Sequence, residues 1–313
     1  MTVGETTVAG VFPVLCTPFE SSGTLDERSF DAVIEFVVEA GANGCVFPGV
    51  ASEVDTLEDD ERRALVTRLG QRLDGRVPFV VGASAATPDA VAVHIRHGAR
   101  AGATAAMVMA PASIGRDTGA QRAFVERASE LAHREGLPIL LQNAPVPIGA
   151  GLSPAEVAAV AIGVERIRFV KEETLPCGQH LSGILEAAEL TPGAIDGVFG
   201  GAGARYLIDE LARGSIGTMP ACELSDLHVR LVSAWREGEI EEARRLFEAS
   251  LPMLSFQAVF RMHMTKATLA RRGVLASTRV RGAGPVPDAA DLAELGTLLV
   301  RLAPELALRP PFT

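Results

Sequence analysis

Eight short apolar segments, each followed by a longer amphipathic segment, are the feature that most limits how this chain of 313 residues can fold. Short runs rich in β-branched and apolar residues are typical of buried strands, and their alternation with helical periodicity predicts parallel βαβ units. The predicted strands cover residues 11–16, 44–48, 78–82, 105–109, 138–142, 167–171, 197–200 and 216–220. Eight strands is also the number that closes a (β/α)8 barrel.

Segments with helical periodicity lie between these predicted strands. Asp26, Thr87-Pro88 and Ser153 are typical helix start signals, and Gly41, Gly102 and Gly214 are typical helix ends. A doubly wound sheet is the alternative, but the glycine-rich pyrophosphate motif that it often carries is missing after the first strand. The sequence therefore predicts an α/β fold, a (β/α)8 TIM barrel over residues 1–224. The predicted helices cover residues 26–40, 58–73, 88–101, 118–135, 153–162, 178–189 and 202–213.

The pattern changes beyond residue 224, where helical segments follow one another without strands. These helices are predicted at residues 224–236, 239–254, 255–272 and 287–303. The proline- and glycine-rich stretch 281–289 is typical of a loop between the last two. We therefore predict a C-terminal helical region over residues 225–313, appended to the barrel.

Composition narrows the possible functions. An apolar content of 48% is ample for a large core, and a net charge of −10 argues against a nucleic-acid partner. The chain shows neither an apolar leader segment nor a run of 18 apolar residues, so we expect neither secretion nor insertion into a membrane. The four cysteines fit no zinc motif, which predicts reduced thiols in a cytoplasmic protein and no metal site.

Lys171 ends the sixth predicted strand, and this position gives the lysine a chemical role. A buried ammonium group loses hydration, its pKa falls, and the neutral amine becomes a nucleophile. Active sites of (β/α)8 barrels lie at the carboxyl ends of the strands, so the side chain of Lys171 is expected at the barrel mouth. The neighbouring strand ends supply the other candidate residues: Thr17, the loop 49–53, Gln142, Asn143 and Gly200.

Four motifs fall in order on these strand ends: CTPF (16–19), GVASEVDTL (49–57), QNAPVP (142–147) and FVKEE (169–173). They resemble the dihydrodipicolinate synthase / N-acetylneuraminate lyase family. The resemblance implies a (β/α)8 barrel that assembles as a homotetramer or a homodimer and needs no cofactor. It also implies a Schiff base between the sixth-strand lysine, here Lys171, and the keto group of pyruvate or another 2-keto acid.

The departures from the family pattern narrow the reaction. Gln142 stands where most members carry a proton-relaying tyrosine, and Pro147 stands where synthases carry the arginine that holds aspartate semialdehyde. The carboxylate-binding loop has lost its usual hydroxyls at Val50 and Ala51, which leaves Ser52 and the loop amides as donors. These changes argue against a dihydrodipicolinate synthase.

A glutamine on the fifth strand together with Lys-x-Glu on the sixth is similar to the 2-keto-3-deoxypentonate (L-arabonate type) dehydratases of the family. The similarity implies a carbon–oxygen lyase in which Lys171 forms the imine, Glu173 transfers protons and Gln142 orients the substrate. We expect burial to raise the pKa of Glu173 towards neutrality. The expected substrate-binding residues are Val50, Ala51, Ser52, Thr17, Asn143 and Gly200.

Several alternatives stay open at this point. A pyruvate-dependent aldolase, either synthase-like or acting on sugar acids, would use the same imine, and a non-catalytic relative would only bind a 2-keto acid. Lys171 could also be a structural ion-pair partner of Glu172 or Glu173, and Asn143 could brace its loop. Glu53 is expected to open the second barrel helix, where a carboxylate favours the helix dipole.

Overall fold

The computed structural model describes residues 8–308, in which eight parallel strands form one sheet. Its order, β1-β8-β7-β6-β5-β4-β3-β2, follows the chain, and single bridges from Val14 to Val46 and Ala221 bring the two sheet edges together. The predicted (β/α)8 barrel is confirmed. The strands are β1 Gly10–Val11, β2 Cys45–Phe47, β3 Phe79–Gly82, β4 Ala105–Val108, β5 Ile139–Asn143, β6 Ile167–Glu172, β7 Gly197–Gly200 and β8 Gly217–Thr218.

Helices connect successive strands and continue beyond the last one. They are α1 Glu27–Glu39, α2 Asp59–Leu73, α3 Pro88–Arg100, α4 Thr118–Leu131, α5 Pro154–Gly163, α6 Cys177–Glu189, α7 Leu207–Ala212, α8 Ser225–Arg236, α9 Ile240–Phe260, α10 Met262–Arg271 and α11 Ala289–Leu302. Asp26, Thr87 and Ser153 each accept a hydrogen bond from the amide three residues further on, which confirms these predicted caps. Such a cap contributes about 1 kcal/mol.

Some boundaries differ from the prediction. The regular ladder of β1 covers Gly10–Val11, so it contains only Val11 of the strand predicted at residues 11–16, because Pro13 has no amide hydrogen to donate. The predicted helix break between residues 254 and 255 is wrong: α9 runs through to Phe260 and ends at Arg261. The predicted helix 202–213 begins as a 3₁₀ turn, Ala202–Ala204, and becomes α-helical at Leu207.

Side chains from alternate strand positions fill the inside of the barrel. Phe12 and Phe199 meet edge to face with ring centroids 5.7 Å apart, so the interior is a packed core and not a pore. Burial of one such ring stabilises the fold by about 1.5–3 kcal/mol. The core contains Phe12, Val14, Val46, Val80, Ala105, Met107, Leu140, Phe169, Phe199 and Met219.

The C-terminal helices pack on the barrel and on each other. Helix α8 shares a core cluster with β1, while α9, α10 and α11 pack together in a second cluster. The boundary predicted at residue 225 stays a prediction. The first seven residues of the predicted barrel and the last five of the predicted helical region lie outside the described residues. Between residues 8 and 308, each helix is too short or too polar to cross a bilayer.

Candidate active site

Lys171 lies at the carboxyl end of β6, between β5 and β7. Its strand register places it beside Gln142 of β5 and Phe199 of β7. Only 4% of the residue is exposed. The sequence therefore brings a nearly buried amine to the mouth of the barrel, at the strand end where it was predicted.

Glu173 lies on the same face, two residues beyond Lys171. One carboxylate oxygen, Oε2, is 3.3 Å from Lys171 Nζ and accepts a hydrogen bond from Gln142 Nε2 at 2.6 Å. The other oxygen accepts a hydrogen bond from the backbone amide of Ala202 at 3.1 Å. Glu173 thus contacts both of the other residues predicted to be catalytic.

The charge state of Glu173 differs from the expectation. Burial by itself would raise the pKa of this carboxyl group, but the positive charge of Lys171 and the hydrogen bonds from Gln142 and Ala202 outweigh burial. The pKa of Glu173 therefore lies below its ordinary value. The prediction that this pKa moves towards neutrality is therefore wrong, and Glu173 is an ionised base.

Gly201 makes room for the carboxylate. A Cβ atom at this position would lie 2.5 Å from Cγ of Glu173, closer than real Cβ contacts occur. Gly200, the preceding residue, packs against Glu210 in the same way, with Oε2 of Glu210 in the space that a Cβ atom would need. The structure therefore places Gly200, a predicted substrate-binding residue, against a buried glutamate of α7 and not against the cavity beside Lys171.

Asn143 and Glu172 face away from Lys171. Asn143 Nδ2 donates hydrogen bonds to Glu172 Oε2 at 2.8 Å and to the carbonyl of Leu152 at 3.0 Å, and the amide of Leu152 donates back to Asn143 Oδ1. This arrangement braces the loop after β5. Burial raises the pKa of Glu172 to about 7 in spite of these hydrogen bonds. The ion-pair partner of Lys171 is therefore Glu173 and not Glu172.

The loop after β2 presents backbone and apolar groups, and not its hydroxyl groups, to the cavity beside Lys171. Val50 and Ala51 line the cavity beside Lys171. Ser52 is fully buried: its hydroxyl donates to the carbonyl of Leu15 and accepts from the amide of Gly49. Thr17 donates its hydroxyl to the carbonyl of Ser52 at 2.7 Å. Both hydroxyls are thus used to hold the loop together.

Glu53 has a different position from the one expected. It adopts a left-handed conformation with φ 56°, and α2 begins only at Asp59. Its carboxylate accepts a hydrogen bond from the fully buried Lys266 of α10 at 2.5 Å and from the amides of Arg281 and Gly282. The expectation that Glu53 opens the second helix is therefore wrong, because α2 begins only at Asp59, and a lysine far along the chain neutralises the carboxylate instead.

A cavity of about 160 Å³ surrounds the end of Lys171. Arg205, Gln257 and Arg261 line this cavity, and the sequence interpretation did not select them. They come from the β7–α7 turn and the C-terminal helices, so their spacing along the chain carries no signal of the site. A larger cavity of about 990 Å³ lies beside it and includes Gln142 and Pro147. Val50, Ile148 and Arg261 line both cavities.

Comparison with known proteins shows the family to which the chain belongs. Residues 7–290 match the model of the dihydrodipicolinate synthetase family. The chain belongs to this family. A crystal structure of dihydrodipicolinate synthase from Rhodopseudomonas palustris superposes with a TM-score of 0.85 at 26% identity, covering 94% of this chain and 97% of that one. The protein is thus a lyase of the dihydrodipicolinate synthetase family.

Two curated relatives within the family act on sugar acids, according to their names. The L-2-keto-3-deoxyarabonate dehydratase of Azospirillum brasilense is 30% identical over 301 residues, covering 96% of each chain. The probable 2-dehydro-3-deoxy-D-pentonate aldolase YjhH of Escherichia coli is 25% identical, covering 80% of this chain and 82% of the relative. One relative is therefore named for elimination and the other for carbon–carbon cleavage.

Proposed function

We propose that the protein dehydrates a 2-keto-3-deoxy sugar acid through a Schiff base on Lys171. The observation that carries this proposal is the carboxylate of Glu173, which Gln142 and the amide of Ala202 hold 3.3 Å from the lysine amine. This carboxylate occupies the place where an acid/base group is needed, in a cavity whose described lining residues include no phenol. The named dehydratase relative supports the same reaction.

The first half of the proposed reaction forms the imine. Lys171 loses a proton to solvent, its free amine attacks C2 of the keto acid, and the carbonyl oxygen leaves as water with one hydrogen from the amine and one proton from solvent. The protonated imine then withdraws electrons from C3 and acidifies its hydrogens. Glu173 in its ionised form removes one of these hydrogens as a proton, which gives an enamine.

The second half expels the C4 hydroxyl. Glu173 now carries the proton taken from C3 and returns it to the leaving hydroxyl, so that one carboxyl group serves as base and then as acid. For a 2-keto-3-deoxypentonate, a C5 proton is then exchanged for one at C3, the resulting C4–C5 enol becomes an aldehyde, and hydrolysis of the imine gives a 2,5-dioxopentanoate, with one water lost overall. Acid/base help of this kind accelerates a reaction by about 10²–10⁴.

Val50 and Ala51 form the wall that faces the C1 carboxylate in this proposal, through the backbone of their loop. Thr17, Ser52 and Asn143 act indirectly, because their polar groups hold the surrounding loops. Four free, buried cysteines support a cytoplasmic setting. We also propose a homodimer or homotetramer, which light scattering would test.

An aldolase is the alternative, and the relative named as a pentonate aldolase favours it. Aldol cleavage needs a base that takes a proton from the C4 hydroxyl, whereas elimination needs an acid that gives one. Products separate the two reactions: pyruvate and glycolaldehyde from a 2-keto-3-deoxypentonate would replace elimination with cleavage.

Borohydride trapping tests the imine itself. Pyruvate plus borohydride should add a stable mass to Lys171, and Lys171→Ala should take up none. The chain has one other lysine, Lys266, which is fully buried, so Lys266→Arg serves as the matched control and should still be labelled. Labelling of Lys266, or no labelling by any 2-keto acid, would contradict the proposed mechanism.

A further inference from the structure

Two guanidinium groups line the cavity beside Lys171 without any charged partner. Arg205 lies in the turn after β7, and Arg261 lies between α9 and α10. Within residues 8–308, neither side chain forms a hydrogen bond or an ion pair. Arg261 is exposed and Arg205 is half-buried, so water reaches both side chains, but two unpaired guanidinium groups at the wall of one small cavity are a concentration of positive charge that favours a bound anion.

The backbone at Arg261 is strained. Its φ of 48° and ψ of −118° fall in a region that residues other than glycine rarely adopt. Such a conformation persists only where the surroundings enforce it, often at binding sites. Here it separates α9 from α10 at the residue whose side chain reaches the cavity wall.

Gln257 joins the two arginines at this wall. It precedes Arg261 by four residues, and its carbonyl accepts a hydrogen bond from the amide of Arg261 at 2.7 Å, which brings the two residues together at the end of α9. A Cβ atom on Gly203 would lie 3.2 Å from Gln257 Oε1 and 3.3 Å from Arg205 Nη1, which places the ends of both side chains beside the same glycine. The C-terminal helices and the β7 turn thus complete one wall together.

The position of this wall relative to the substrate follows from Glu173. The amide of Ala202 donates to Glu173, so the turn that carries Arg205 lies on the Glu173 side of Lys171. In the proposed reaction Glu173 faces C3 and C4, whereas the C1 carboxylate faces Val50 and Ala51. Arg205 therefore lies beyond C4, and Arg261 lies in the wall that it shares with Arg205 and, on its other side, with Val50.

The charges that line the cavity indicate which group the far end of the substrate carries. Among the described residues, the cavity holds three cationic side chains and one carboxylate, and that carboxylate is paired with Lys171. The imine keeps its positive charge, so a substrate with a single carboxylate leaves the two guanidinium groups without a counter-ion. Arginine forks match carboxylate and phosphate oxygens in bidentate geometry.

We propose that Arg205 and Arg261 form an anion subsite for a second acidic group, a carboxylate or a phosphate, at the far end of the substrate. The proposal rests on the proposed function for the direction in which the substrate lies. It means that, among 2-keto-3-deoxy sugar acids, the pocket prefers those with two anionic ends over those with one, such as a pentonate, and that the C-terminal helices determine this preference.

Imine trapping with a matched pair of acids tests the subsite. 2-Oxoglutarate and 2-oxopentanoate have the same chain length and differ only in the group at the far end. In the wild type, half-maximal trapping by 2-oxoglutarate should need about tenfold less acid than trapping by 2-oxopentanoate. Trapping by 2-oxo-4-phosphonobutanoate shows whether the subsite takes a phosphate-type group equally well.

The ratio between the two acids is the readout, because it cancels any general loss of reactivity. It should fall to about one in the double variant Arg205→Gln, Arg261→Gln, and stay at about ten in Arg244→Gln, which removes an exposed arginine from α9. A ratio near one in the wild type, or a ratio that the double variant leaves unchanged, overturns the subsite. Thermal unfolding checks that each variant is folded.

Failure of imine formation would be detected separately from failure of the anion subsite. If no keto acid is trapped, the proposed function is wrong, and the subsite is then tested by calorimetry with glutarate and pentanoate. The subsite is supported if the wild type binds glutarate but not pentanoate and the double variant no longer binds glutarate. Glutarate that does not bind the wild type, or binds the double variant equally well, overturns it.

Discussion

Replacing Glu173 with glutamine separates imine formation from the proton transfers that follow. The variant Glu173→Gln keeps the shape of the side chain and removes its charge and its proton. We expect turnover of a 2-keto-3-deoxy sugar acid to fall by about 10²–10⁴, which corresponds to about 2.7–5.4 kcal/mol of lost transition-state stabilisation. Trapping of the imine by borohydride should persist, because the nucleophile is unchanged.

The contacts of Glu173 set the size of the accompanying stability change. The carboxylate accepts hydrogen bonds from Gln142 and from the amide of Ala202, and it pairs with Lys171. An amide has one oxygen, so one of the two hydrogen-bond donors loses its acceptor. That loss costs about 1–3 kcal/mol of folding free energy, an effect that thermal unfolding measures independently of the rate.

Product formation in single-turnover experiments is the assay, and Glu165→Gln is the matched control. Glu165 is exposed just before the start of β6, at the opposite end of the strand from Lys171. The control should keep full turnover. Turnover of Glu173→Gln within tenfold of the wild type, or loss of imine trapping together with turnover, would refute the role given to this carboxyl group.

Three further perturbations test other contacts of the protein. Condensation of pyruvate with aspartate semialdehyde should be negligible in a coupled assay, because Pro147 offers no charged hydrogen bond of about 1.5–3 kcal/mol to the aldehyde's carboxylate. Arg272→Met should lower the free energy of unfolding in urea by about 3–5 kcal/mol, because it leaves the buried Asp226, now 2.7 Å from the guanidinium, without its partner. Burial raises the pKa of Glu210 from 4.5 to about 8, so at neutral pH the folded protein holds a proton that the unfolded chain has released. The free energy of unfolding should therefore fall as pH rises from 6.5 to 8, by up to about 1.4 kcal/mol per pH unit. The variant Glu210→Gln should reduce this slope.

Periodicity was sufficient to predict the barrel, because each strand and helix buries its own face against its neighbours. Helix starts were also predictable, since caps such as Ser153 act on amides three residues away. The break at Arg261 was not predictable in this way. A proline is the usual sequence signal for a helix break, yet α9 accommodates Pro252 within its length and ends only where Arg261 takes a positive φ.

Some contacts of the active site were likewise predictable from the sequence, and others were not. Strand order brings Lys171, Gln142 and Glu173 together, and the order of strands is readable in the sequence. The partner of Glu53 was not readable, because Lys266 is more than 200 residues away and reaches it only through the packing of α10 on the barrel. The pKa of Glu173 depends on a balance between burial and contacts, and the sequence shows neither of these quantities.

Both lysines of the chain are buried, with 4% of Lys171 and none of Lys266 exposed. The permanently cationic side chains at the protein surface are therefore arginines. An amine-directed acylating reagent small enough to enter the cavity should therefore reach Lys171 in the folded protein and leave Lys266 unmodified. Unfolding exposes Lys266, so acylation at this residue reports on the folded population without any engineered label.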